Sequence, residues 1–186
     1  MERLLYVCII GLALAGCRGP QKAEKTGVVV VGSDRFPASL AGRWVSDRQG
    51  WQIVFGADGR ITSAVLSLGR VEVVPGVETT VPTRGGGQGV FAPGLWTVHY
   101  EADSKQLTVK LVMNHIRIEM GSYTLEGKST DVFSGPISAD DGVWQVQWTA
   151  LTDYEVRRPG REDVEIGTDS VYGETQPLAF EKTEPQ

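Results

Sequence analysis

Four stretches of this chain alternate apolar and polar residues almost one for one, and that period limits the fold more than any other feature. Trp51, Ile53 and Phe55 alternate with Gln52; Trp96, Val98 and Tyr100 with Thr97, His99 and Glu101. Leu107, Val109, Leu111 and Met113 alternate with Thr108 and Lys110, and Trp144, Val146, Trp148 and Ala150 with Gln145, Gln147 and Thr149. A period of two sets one face of a strand against a core and the other in water. Turn signals at Ala57-Asp58-Gly59, Asp103-Ser104 and Asp140-Asp141-Gly142 separate the runs. No stretch after residue 40 sustains a helical period. The expectation is an all-β domain, an antiparallel meander closed into a barrel of about eight strands, because closure removes exposed edges. A barrel of that size is either filled by side chains or holds one small ligand.

Smaller features refine this. Apolar positions are odd from Leu107 to Met113 and even at Ile116, Ile118 and Met120, which predicts a β-bulge or tight turn at Asn114-His115. Residues 83–94 are rich in glycine and read as a mobile loop able to arch over a barrel mouth or to dock a partner. Val28 to Val31 read as an added edge strand or as an apolar linker. Residues 155–186 hold four basic and eight acidic side chains and read as an acidic, partly disordered tail, in which Val171-Tyr172 and Leu178-Ala179-Phe180 are the apolar clusters able to dock back.

At the amino terminus, the apolar run Leu4 to Leu14 is too short for a membrane span, which needs about 20 residues, and has the length of a signal-peptide core. Leu14-Ala15-Gly16-Cys17 closes it and resembles the lipobox of bacterial lipoproteins. That resemblance implies cleavage after residue 16 and acylation of Cys17, with residues 17–35 as lipidated cysteine and tether. Two or more acyl chains anchor stably where one does not. Arg18 follows where an aspartate signals inner-membrane retention, so the resemblance implies a periplasm-facing outer-membrane location in a diderm host. Cys8 leaves with the signal and Cys17 is acylated, so no thiol is left for a disulfide, a metal or catalysis.

Within residues 36–154 a second resemblance is found. Phe36 to Leu40 followed by Gly42-Arg43-Trp44 resembles the opening of lipocalins and lipocalin-like calycin barrels, where a short helical turn precedes a Gly-x-Trp motif. Thr152-Asp153-Tyr154 is similar to the family's second motif. The resemblance implies that Trp44 plugs one end of the barrel and that the second motif packs near the first.

The chemistry points away from catalysis. A net charge of −5 with no basic patch argues against a nucleic-acid partner. His99 and His115 lack metal-ligand spacing. There is no nucleophile elbow and no phosphate loop, so neither an enzyme nor a cofactor is expected. Two functional readings remain. In one, a lipid-anchored barrel binds a small hydrophobic or amphipathic ligand against Trp144, Trp148 and Trp96, oriented by Arg117, Gln147 or Arg43. In the other, the tryptophans fill the core, and a structural lipoprotein docks another envelope protein through its surface or loops.

Overall fold

The computed structural model describes residues 26–32, 34–84, 86–158 and 172–183. The signal segment and Cys17 lie outside them. The described fold is all-β with a single 3-10 turn, Ala38–Leu40. Its strands are β1 (Gly27–Val31), β2 (Gly42–Ser46), β3 (Gln52–Phe55), β4 (Ile61–Val65), β5 (Glu72–Val73), β6 (Thr79–Pro82), β7 (Gln88–Pro93), β8 (Leu95–Glu101), β9 (Gln106–Met120), β10 (Tyr123–Pro136), β11 (Val143–Arg157) and β12 (Tyr172–Thr183).

These form one strongly curled sheet in the order β1-β8-β9-β10-β11-β12-β2-β3-β4-β5, with β6 on β7 and β7 on β9. It is a half-barrel, which corrects the expected closed barrel of about eight strands. The ends of the path, β1 and β5, do not pair with each other. A β5 of two residues offers too short a ladder for closure. All pairings are antiparallel except β1 on β8. Val28 to Val31 are therefore an edge strand, not a linker. The sheet reaches beyond 36–154 on both sides, since β12 lies between β11 and β2.

The alternating runs build the core as their period requires. Trp51, Ile53, Phe55, Trp96, Val98, Leu107, Val109, Leu111, Met113, Trp144 and Val146 are all buried on the inner face. Around Trp144 the rings interlock: Phe180 at 5.1 Å, Phe133 at 6.3 Å, and Trp44 and Phe55 each at 6.5 Å between centroids. Trp44 is fully buried, and its indole donates to the Leu40 carbonyl at 2.9 Å, which ties the 3-10 turn to β2. Ser39 on that turn donates to Asp141 at 2.7 Å, linking it to the β10–β11 turn.

The register break at Asn114-His115 is a bulge. Ile116 pairs with Gly127 and Met113 with Ser129, so two residues of β9 oppose the single Lys128 of β10. The same point interrupts the neighbouring strand: β7 and β8 both lie along β9 and are separated by Gly94, whose N–H donates to the Val112 carbonyl at 2.8 Å. A side chain at Gly94 would meet Asn114 Oδ1 at 2.3 Å, and one at Gly127 would meet the Asp153 carbonyl at 1.9 Å. Bulge and glycines thus align across β7–β8, β9, β10 and β11 as a crease where the sheet bends.

Residues 83–94 are not an open loop. Gln88 to Pro93 form β7, and the connection from β6 is a short turn held by Thr83, whose hydroxyl donates to the Glu119 carbonyl at 2.7 Å and accepts from Gly87 N–H at 3.2 Å. The glycines serve close approach here: a Cβ on Gly87 would sit 2.5 Å from that of Glu119.

Candidate functional site

The crease brings polar side chains onto the inner face. Ser129, Asp131 and Phe133 alternate along β10 and all point inward; Ser129 and Asp131 are buried. Across the ladder, β11 presents Trp148 opposite Phe133, Ala150 opposite Asp131, Thr152 opposite Ser129 and Tyr154 opposite Gly127. Gly127 has no side chain on that face, and the Asp153–Tyr154 backbone lies directly against it.

Asp131 is the centre of this group, with only 6% of its surface exposed. The Trp148 indole donates to Oδ1 at 3.0 Å, and Ser129 donates to Oδ2 at 3.4 Å, long for a bond between oxygens. On β9 the residue opposite Asp131 is Leu111. No Lys, Arg or His among the described residues forms an ion pair with it. Burial in these surroundings pushes the carboxyl up to about 6, against the pull of the Trp148 and Ser129 hydrogen bonds. Tyr154 is pushed up to about 12, first by burial and further by the Asp131 charge, while Ser129 opposes the shift.

Trp148 lies half-buried, stacked on Phe133 at 6.4 Å and 11°, and edge-on to Trp51 at 5.9 Å. Trp51 is buried, and its indole nitrogen has no hydrogen-bond partner among the described residues. An orphaned donor of this kind is uncommon in a packed interior. A buried acid and an unsatisfied indole therefore share one aromatic cluster. Among the described residues, β11 pairs with both β10 and β12 as far as Leu151 and with β10 alone from Thr152 to Arg157.

The residues singled out in the sequence divide. Trp144, Trp148 and Trp96 face inward, but Trp144 and Trp96 are fully buried, with indoles donating to the Gly135 carbonyl at 3.1 Å and the Val112 carbonyl at 2.9 Å. Only Trp148 adjoins the polar group. Arg117 alternates with the inward Ile116 and Ile118, so it lies on the outer face, where it pairs with Glu119 at 2.9 Å. Gln147 is exposed on the outer face of β11, and Arg43 is exposed on β2. The polar neighbour of Trp148 is Asp131 instead. No alternating run drew notice to β10, yet Asp131 two residues before Phe133 was the available signal.

Thr152-Asp153-Tyr154 does not adjoin Gly42-Arg43-Trp44. Trp44 touches Trp144, and Tyr154 lies ten residues farther along β11, on the order of 30 Å at the rise of a strand. His99 lies on the outer face of β8, its ring against the Val31 carbonyl at 3.0 Å and Glu101 at 3.2 Å; the Val31 contact and then Glu101 raise its pKa. His115 meets Glu126 at 3.2 Å. A depression of about 180 Å³ lies along β10 and β11, lined by Lys128, Thr130, Leu151 and Asp153 of the outer face with Ser129 and Thr152 between them. No protein-family profile, curated protein or solved structure matches the chain.

Proposed function

We propose that this protein is a non-enzymatic lipoprotein of a bacterial cell envelope, anchored through acyl chains on Cys17, whose curled sheet receives a small amphipathic molecule on its inner face. In this reading the half-barrel is an open, divergent form of the lipocalin-like meander, and Arg18 directs it to the outer membrane of a diderm host. The observation that carries the ligand reading is Asp131, a buried carboxyl with no cation paired to it among the described residues, next to the partly exposed Trp148. Small-molecule sites combine such an apolar wall with a few fixed polar groups.

The test is a titration of the intact protein with the neutral amphipathic dye N-phenyl-1-naphthylamine. Saturable one-to-one binding is expected, weakened at least tenfold by Trp148→Ala and little by Gln147→Ala on the outer face. Unsaturable binding, or binding indifferent to Trp148, would overturn the ligand reading. For the anchor, the mass of the amino-terminal peptide is expected to show diacylglyceryl and acyl groups on Cys17, and Cys17→Ser should release the protein from membranes.

One observation favours the second reading, a module that docks another envelope protein. Val29 and Val31 on the edge strand β1 are exposed, as are Val74 and Val77 in the turn after β5. Gly76 of that turn approaches the start of β1, its added Cβ lying 3.9 Å from Gly27 N. In-cell cross-linking from position 77 to one reproducible protein, with no dye binding, would select this reading.

A further inference from the structure

We infer that the inner-face site is selective for a cationic amine with an apolar tail, the Asp131 carboxylate serving as counter-ion and Trp148 as the wall along which the tail enters. The inference rests on the ligand reading above and names the class of ligand. Three observations carry it. Asp131 is buried, yet its described partners are two neutral donors, the Trp148 indole and the Ser129 hydroxyl. A buried charge is ordinarily paired or metal-bound, and here no cation among the described residues supplies the pair.

The described neighbours of Asp131 carry no cation either. Facing Asp131 on the inner side are Leu111 of β9 and Ala150 of β11, with Ser129 and Phe133 on its own strand. The other titratable group in the cluster is Tyr154, which is neutral at physiological pH. A ligand carboxylate or phosphate would place a second anion beside the first, which is unfavourable in a dry site. An alcohol could donate one hydrogen bond but would leave the charge uncompensated. An ammonium does both, and the face of Trp148 adds a cation–π contact on the way in.

Access follows from the sheet itself. Trp148, Ala150, Thr152 and Tyr154 are all partly solvent-exposed, while Ser129 and Asp131 beneath them are not. The tail then lies on aromatic surface and the head reaches the carboxylate.

The experiment compares dodecylamine, dodecanol and dodecanoate, each below its aggregation limit, on the full-length protein at pH 7.5 and 150 mM salt, read by tryptophan fluorescence. Amine affinity at least tenfold above that of the alcohol is expected, with the acid weakest. Asp131→Asn should bring the amine down to the level of the alcohol. Amine binding by the wild type should also fall between pH 7.5 and 5, because Asp131 gains its proton there while the amine keeps its own. Saturable alcohol binding without amine preference would overturn this inference and leave the ligand reading standing. Absence of saturable binding by all three would overturn both.

Discussion

Asp131 bears its charge where ionising is unfavourable, since burial pushes the carboxyl up to about 6 from the ordinary 3.8. The folded protein therefore holds this proton more tightly than the unfolded chain does. Between roughly pH 4 and 6 the native state binds more protons, so stability falls as pH rises through that window. At pH 7 the cost is about 3 kcal/mol relative to a group that does not ionise. Asp131→Asn keeps an oxygen to accept the Trp148 indole and removes the charge. It is expected to raise the urea midpoint at pH 7.5, with the gain shrinking toward zero near pH 4. A less stable variant at pH 7.5 would mean that the carboxylate's two hydrogen bonds outweigh its burial. This residue was hard to find in the sequence for a physical reason: period-two reasoning assigns apolar residues to the core, so a polar residue on the inward face breaks the very signal used to locate that face.

At the scale of the element, the crease is what the sequence announced most clearly. The switch from odd to even apolar positions can only be met by an extra residue, and the bulge stands at Asn114-His115. Its partner on β10 was silent, because Gly127 reads as an ordinary weak strand residue. It nonetheless faces the Asp153 backbone so closely that a methyl group has no place. Gly127→Ala is expected to cost about 3 kcal/mol in equilibrium denaturation, whereas Gly142→Ala, whose added Cβ would meet nothing nearer than Asp140 at 3.7 Å, should cost far less. Equal losses would show that the sheet can open at the crease without strain. Residues 83–94 misled for the opposite reason. Glycine density has two causes, mobility and close approach, and composition does not separate them. Here Gly87 and Gly89 lie against Glu119 and Phe91.

For the molecule as a whole, β12 decides whether there is one sheet or two fragments. Among the described strands it alone joins β11 to β2, contributing Leu178 and Phe180 to the core beside Trp144 and Phe133. The Leu178-Ala179-Phe180 cluster marked it in the sequence as able to dock back, but two inward apolar residues in an acidic segment do not reveal that it bridges β11 and β2. Phe180→Ala should cost about 3–5 kcal/mol, the range for removing a buried aromatic ring. Ending the chain before residue 172 is expected to abolish cooperative thermal unfolding, as followed by near-ultraviolet circular dichroism. A sharp transition in that truncated form would show that β2 to β5 find another partner.

The pairing of Phe180 with Ser46 spans most of the polypeptide. A chain delivered from a ribosome with its first residues leading must keep β2 waiting, one edge bare, until β12 has emerged. Such a long-range closure delays folding and leaves the nascent protein unlatched for as long as synthesis lasts.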